Sequence, residues 1–203
     1  MIATLFSALL LSTGVSQAGN THCDRSEASL AEVSMRLRTL YEAEVADATN
    51  VTPDKADRDK ARSKEALKTL KKGLVCSAED QFYTAWVIRH STDVDTLQTT
   101  YDLAVASMKG HIDRSNWLTA TAFDRLQVYS GFPQRYGSMI GHDKGVVCLY
   151  DVDPNVTDED RAQYRMPPIA DQYQKVLLAS KITEPPTLRE VKRRGLICPG
   201  IEL

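Results

Sequence analysis

Residues 29–76 read SLAEVSMRLRTLYEAEVADATNVTPDKADRDKARSKEALKTLKKGLVC, and this stretch decides the fold. In its first part, apolar side chains recur three or four positions apart, which is the stripe of an amphipathic helix over 29–48. Thr52-Pro53 opens a second helix that runs to Lys72, before Gly73. Because the link is short, the two helices are predicted to form an antiparallel hairpin with arms of roughly 30 Å.

The chain contains four cysteines, and none of them belongs to a Cys-x-x-Cys pair. An antiparallel hairpin brings the start of its first helix beside the end of its second, where Cys23 and Cys76 lie. We therefore predict a Cys23–Cys76 disulfide, which leaves Cys148 and Cys198 for each other. Each bridge closes a loop of about 50 residues, worth around 4 kcal/mol in the chain-entropy treatment. No metal site is predicted, since no His-Glu-x-x-His occurs either.

Capping patterns predict three more helices before residue 131. Ser77 with Asp80 has the form of a capping box, and Thr92 with Asp95 repeats it. Glycines end the last two of these helices. The three predicted helices cover 78–90, 92–110 and 115–131.

The pattern changes after Pro133. Two short segments, 134–140 and 145–151, flank Gly141-His142-Asp143-Lys144, which predicts a small β-hairpin. Further helical segments are predicted from 157, over 168–180 and over 187–194. The predicted fold is therefore mainly α: a multi-helix single domain, residues 19–203, with a small β-hairpin near residues 134–151.

The first residues have the profile of a signal peptide. An apolar run over 2–11 is followed by small residues, and Ser16 and Ala18 have the spacing that favours cleavage after Ala18. We predict a signal peptide over 1–18 and export to the periplasm or the extracellular medium. After Ala18 no apolar run approaches the ~20 residues of a membrane helix, so no membrane span is predicted in the mature chain.

The net charge and the order of acidic and basic residues do not indicate a nucleic-acid partner. The net charge is −2, and the basic residues of the second predicted helix are interleaved with acids. No aromatic residues separate them, so nucleic-acid binding is not predicted and the helix face is interpreted as solvated. These basic residues are Lys55, Arg58, Lys60, Arg62, Lys64, Lys68, Lys71 and Lys72.

Six polar residues of the middle region are candidate ligand contacts. His90 is also a catalytic candidate, because an imidazole can act as a base near pH 7 while Asp124, the other candidate, or Asp93 orients it. The same residue types also serve structure, since Asp124 with Arg125 can hold two helices together. Ser138 lacks the Gly-x-Ser-x-Gly turn of a serine nucleophile. The ligand-binding candidates are His90, Asp93, Asp124, Arg125, Gln134 and Tyr136.

No cofactor is predicted, because no glycine-rich loop stands between a strand and a helix.

The order of these residues resembles a family of bacterial, often exported, proteins of unknown function. Its members carry a histidine followed by aspartates and a glutamine, then Asp-Arg, Gln-x-Tyr-Gly, an arginine and a proline-rich turn. The chain departs from that pattern at Ser91-Thr92-Asp93 and at Ser138-Met139. The resemblance implies a shared helical fold and a shared side-chain cluster, and no reaction. The corresponding positions are Val87–His90, Leu97-Gln98, Asp124-Arg125, Gly131–Gly137, Asp158–Arg161 and Pro167–Ile169.

Three functions remain open from the sequence. The leading prediction is a non-catalytic binding protein that takes a small polar ligand or an envelope protein in a cleft between the third and fifth helices, beside the loop Gln134–Gly137. The second is a hydrolase of an envelope or extracellular polymer, with His90 or Asp124 as acid or base. The third is an interaction module in which these side chains form a buried brace. Burial with internal hydrogen bonds favours the brace, and an open pocket favours binding or catalysis.

Overall fold

The computed structural model describes residues 23, 26–49, 52–183 and 187–201. Within these residues the chain forms eight α-helices and a single antiparallel hairpin, as predicted. The predicted signal peptide lies outside the described residues. The elements are α1 (Glu27–Thr49), α2 (Lys55–Lys71), α3 (Ala78–Ile88), α4 (Val94–Lys109), α5 (Ser115–Tyr129), β1 (Ile140–Asp143), β2 (Val146–Leu149), α6 (Asp158–Gln163), α7 (Ile169–Ala179) and α8 (Leu188–Arg193).

Helix α3 lies at the centre of the helical part and contacts α1, α2, α4 and α5. Seven of its eleven residues are buried, and its apolar side chains contribute to two cores. Phe82 and Trp86 pack with Leu118 of α5, whereas Val87 and Ile88 pack towards α1 and α2. Helix α2 contributes little to these cores, since Arg62 and Ala66 are its buried residues. Polar contacts must therefore help to hold α2 in place.

Both predicted disulfides are confirmed. Cys23 bonds to Cys76, which ties the residue range before α1 to the loop after α2. Cys148 of β2 bonds to Cys198 after α8, across a sequence separation of 50 residues. The first bridge fixes the end of α2 that lies next to α3, and the second fixes the hairpin to the end of the described chain.

The predicted helix starts at α3, α6 and α8 are confirmed by their caps, whereas α2 begins at Lys55, after Asp54, and not at Thr52-Pro53. Ser77 and Asp80 form a complete capping box at α3, and Thr157 with Asp160 does the same at α6. The predicted Thr92 cap of α4 is wrong. Asp93 caps this helix instead, by accepting a hydrogen bond from the Thr96 amide at 2.9 Å. A carboxylate one residue later reaches the same N–H groups, so a sequence pattern with both residues is ambiguous.

The hairpin is shorter than the sequence suggests. Ile140 lies opposite Leu149 and Asp143 opposite Val146, so the chain reverses at Lys144-Gly145. Both turn residues have positive φ, of 48° and 82°, which a two-residue hairpin turn of this hand requires. The predicted turn at 141–144 is therefore displaced towards the glycine that can adopt this conformation.

The hairpin and the last helices form a separate apolar core. Leu149 packs with residues of α7 and α8, of which Val176, Leu177 and Val191 are fully buried. A smaller cluster of Ala120, Tyr136 and Met166 joins this part to α5. The segment 134–139 thus runs between the two parts of the molecule, where most of the candidate residues lie.

None of the helices in the described ranges combines the length and the hydropathy needed to cross a bilayer.

Candidate functional site

Asp124 on α5 is fully buried and acts as an acceptor for the segment 134–139. Its Oδ1 accepts hydrogen bonds from the amides of Arg135 and Tyr136, both at 2.7 Å. Its Oδ2 accepts one from the Ser138 amide at 2.8 Å and one from the Ser138 hydroxyl at 2.7 Å. Burial raises the pKa of Asp124, and the four hydrogen bonds oppose that rise. Both oxygens are therefore occupied by the protein itself.

Gln134 is the second fully buried polar residue of this segment. Its Nε2 donates to the carbonyls of Met139 and Tyr150, at 3.1 and 2.8 Å, and its Oε1 accepts from the Met139 amide at 2.7 Å. The side-chain amide of Gln134 thereby closes the loop 134–139 on itself and ties it to Tyr150, directly after β2. We refer to Asp124, Gln134 and Ser138 with these bonds as the Asp124 brace.

Tyr136 and Arg161 extend the brace towards α6. The buried Tyr136 ring packs against Tyr164, with ring centroids 4.7 Å apart and ring planes tilted by 48°. Arg161 is fully buried and donates to the carbonyls of Tyr136 and Pro167. A buried guanidinium that donates to main-chain carbonyls holds two loops together, which is a structural task. The sequence did not place Arg161 among the candidate contacts.

Arg125 of α5 and Asp93, the cap of α4, both make hydrogen bonds at the loop between α3 and α4. Arg125 donates from Nε to the Ser91 carbonyl at 3.0 Å and from Nη2 to the His90 carbonyl at 3.2 Å. Asp93 is the cap of α4, and the Thr96 hydroxyl adds a second hydrogen bond of 2.6 Å. Together these two residues fix the backbone of the α3–α4 loop, residues 89–93.

His90 points away from the brace. Its side chain is 53% exposed and lines a groove between α2 and the end of α3, which we call the α2–α3 groove. The groove has a volume of about 960 Å³, at the upper end of the range for ligand sites. It is lined by Ala56, Asp59, Lys60, Ser63, Lys64, Leu67, Lys68, Lys71, Lys72, Val87, His90, Ser91 and Thr92.

Glu44 of α1 lies near His90, Asp59 of the groove lining also acts on this imidazole through its charge, and no ion pair between Asp124 and His90 occurs in the described chain. Glu44 Oε1 is 3.9 Å from His90 Nε2, and the carboxylate also accepts a hydrogen bond from Arg89. Glu44 is 2% exposed, and burial raises its pKa. Its Oε2 is buried and has no hydrogen-bond partner among the described residues. Burial on the inner side and the charges of Arg89 and Arg125 lower the pKa of His90, which keeps the imidazole neutral.

The cations of α2 fall into two classes. Lys55 pairs with Asp59, and Arg58 and Arg62 both pair with Asp47 of α1, at 2.9 and 2.8 Å. Of these three anchored cations, Arg58 and Arg62 lower the pKa of Asp47, chiefly through the hydrogen bond from Arg58. They hold the first half of α2 onto α1, where apolar contacts are few.

The second class has no such partners. Five lysines have no carboxylate oxygen of the described chain within 4 Å, and we call them the unpaired lysines. The nearby acid Glu65 is occupied by Arg36 of α1, through contacts of 2.5 and 2.9 Å. All five are exposed and all five line the α2–α3 groove. They are Lys60, Lys64, Lys68, Lys71 and Lys72.

Sequence reasoning missed Glu44 and the division of the α2 cations, although both leave a signal. Glu44 stands in the apolar stripe of α1, three residues after Tyr41 and four before Ala48, where a carboxylate must be buried and paired. The acids of α2 end at Glu65, whereas lysines continue to Lys72. A count of bases and acids over the whole helix does not reveal the excess of lysines in its second half.

Within the described chain, no group of three or more His, Cys, Asp or Glu side chains is placed to hold a metal ion.

Comparisons with models of protein families, with curated proteins and with solved structures find no match to this chain, so the family resemblance stays a prediction.

Proposed function

We propose that the protein is an exported, non-catalytic binding domain whose site is the α2–α3 groove, and that its ligand is an anion. The observation that carries this proposal is the set of five unpaired lysines along one groove of about 960 Å³. Cationic side chains without internal partners attract a ligand of opposite charge, both at a distance and on contact.

The Asp124 brace is a poor alternative site. Asp124 and Gln134 are fully buried, and the polar atoms of both side chains already bond to the loop 134–139 or to the chain beside it. A ligand would have to displace several of these bonds, each worth about 1 kcal/mol net and more when one partner is left unsatisfied. We therefore transfer the predicted binding role to the groove, and His90 is the candidate that belongs to it.

The lysine row has an energetic cost that a ligand would remove. Lys60, Lys64, Lys68 and Lys72 follow one another at i,i+4, and like charges at this spacing destabilise a helix by about 0.2–0.5 kcal/mol per pair. The row thus costs on the order of 1 kcal/mol in the absence of an anion. Helix α2 keeps its place because of the anchored cations and the Cys23–Cys76 disulfide.

The test is calorimetric titration of the purified protein with citrate, a small trivalent anion. We expect weak, saturable binding that falls with salt and is lost in the variant Lys60→Gln, Lys64→Gln, Lys68→Gln. The matched control replaces three exposed lysines outside the groove, Lys109, Lys181 and Lys192, with glutamine, so that net charge changes equally. Equal losses in both variants would contradict a groove site.

A second candidate function is hydrolysis of an envelope or extracellular polymer. One observation favours it: the imidazole of His90 is half-exposed in the groove, neutral, and 3.9 Å from the buried carboxylate of Glu44. A neutral imidazole beside a carboxylate is the arrangement of a general base. In this alternative, Glu44 orients the imidazole of His90, a role that the sequence analysis gave to Asp124. Turnover that disappears in both His90→Ala and Glu44→Gln, with unchanged folding, would favour the hydrolase over the binding domain.

A further inference from the structure

We propose that the ligand of the α2–α3 groove is a linear acidic polysaccharide that lies along α2. This inference rests on the proposed function and specifies the ligand class of the same site. It follows from how the charges are distributed, from what the floor of the groove is made of, and from the polar groups at its end.

The unpaired lysines are spread along the groove. Lys60 and Lys72 are twelve residues apart on or just after α2, which corresponds to roughly 18 Å at 1.5 Å per residue. One ammonium group stands on nearly every helical turn between them. A ligand with a single charged head needs its cations at one end of the site. A row of this length instead matches a chain that carries a negative charge on each of its units.

Three of the thirteen residues that line the groove are apolar, and the others are polar or charged. The apolar residues are Ala56, Leu67 and Val87, and Val87 is already buried in the core beneath. The five lysines of the lining also carry methylene stems, which can cover a ligand while the ammonium groups stay in solvent. No Phe, Tyr or Trp lines the groove, so the large stacking platform that single-stranded nucleic acids use is missing from its lining.

The end of the groove offers neutral hydrogen-bonding groups. Ser63 and Thr92 supply hydroxyls and His90 a neutral imidazole, all of which both donate and accept, and the Ser91 hydroxyl can donate while it accepts from the Asp93 amide. These are the groups that pair with sugar hydroxyls. Arg125 holds the carbonyls of residues 90 and 91, so the loop is fixed before a ligand arrives. The acid of the lining, Asp59, is neutralised by Lys55 and Arg62.

The experiment measures binding of linear galacturonate oligomers of two to twelve units, with neutral maltose oligomers of equal length as the control ligands. We expect affinity to rise with chain length until the oligomer spans the groove and then to level off. The change of Lys60, Lys64 and Lys68 to glutamine is expected to weaken the longest oligomer by about tenfold, because three exposed ion pairs contribute roughly 0.2–1 kcal/mol each. The control change of Lys109, Lys181 and Lys192 is expected to alter it less than twofold.

Other results would overturn this inference in distinguishable ways. If citrate or dodecanoate binds in a lysine-dependent manner and longer uronates bind no better, the polysaccharide is wrong and the anion-binding groove stands. Polyphosphate or single-stranded DNA that binds as tightly as a uronate of similar length would also overturn it, because charge or bases would then suffice. If no anion binds the folded protein, this inference and the proposed function both fail.

Discussion

Two polar regions of this molecule differ in whether their charges have partners. In the Asp124 brace, the carboxylate accepts four hydrogen bonds from a neighbouring segment of the same chain. On the second half of α2, five lysines face a groove and form no ion pair within 4 Å with a carboxylate of the described chain. Satisfied polar groups hold a fold together, whereas unsatisfied exposed charges are available to a ligand. Residue types that look catalytic in sequence can thus be structural, and a solvated basic helix can hold the site.

The largest expected effect concerns the centre of the brace. Asp124→Ala leaves three main-chain amides and the Ser138 hydroxyl without their acceptor at a fully buried position, so we expect a loss of about 3 kcal/mol or more in the free energy of unfolding. Urea denaturation with intact disulfides measures it. The control is Asp102→Ala on the exposed side of α4, with an expected change within about 0.5 kcal/mol. Equal stability of the two variants would mean that the brace is not structural.

The second effect concerns Gln134, which is also fully buried. Gln134→Ala removes three hydrogen bonds and leaves the Met139 amide and the Tyr150 carbonyl without this partner. We expect a loss of roughly 2 kcal/mol, with affinity for a groove ligand unchanged while the protein is folded. The exposed Gln98→Ala serves as the control in the same denaturation series. A variant that kept full stability and lost ligand binding would return Gln134 to a binding role.

The third effect is a pH dependence of the anchored half of α2. The pKa of Asp47 is lowered by its hydrogen bonds from Arg58 and Arg62. Its contribution to stability is therefore present above the unfolded value of about 3.9 and is lost as the pH falls through the lower folded value. The stability gap between the protein and its Asp47→Asn variant should be larger at pH 6 than near pH 2.5. A gap that stayed constant over this pH range would show that Asp47 is not ionised in an ion pair.

The smallest expected effect on stability concerns the unpaired lysines. Replacing Lys60, Lys64 and Lys68 with glutamine removes repulsion and breaks no ion pair with a described residue. We expect the free energy of unfolding to stay within about 0.5 kcal/mol of the parent, or to rise slightly. Thermal unfolding measures this. A loss of 2 kcal/mol or more would indicate that these lysines hold the fold, and would remove the basis for treating their row as a site.

Local signals predicted the frame of the fold well. The Cys23–Cys76 disulfide followed from the hairpin geometry of α1 and α2, the Cys148–Cys198 disulfide from the two cysteines that remained, and the capping box of α3 marked its start. These features are short-range, because a cap, a helix period or a hairpin depends on residues close together in sequence. The error at Thr92, where Asp93 caps α4, arose from two residues that compete for the same N–H groups.

The candidate site was harder to predict because the role of each residue depends on contacts with segments that are distant in the sequence. Asp124 meets the loop that begins ten residues later, and nothing local says whether that loop covers it or leaves it open. Glu44 approaches His90 across 46 residues, through the packing of α1 on α3. Whether a lysine is paired depends on acids of another helix, such as Asp47 and Glu65 with their own arginines.

The most direct test of the contrast between the two regions is one pair of affinities for a long galacturonate oligomer, measured by calorimetry on folded protein. The pair consists of Gln134→Ala and the triple change of Lys60, Lys64 and Lys68 to glutamine. We expect Gln134→Ala to bind like the parent, within twofold, and the lysine variant to bind about tenfold more weakly. The reverse result, with affinity lost in Gln134→Ala and kept in the lysine variant, would contradict the assignment of brace and groove.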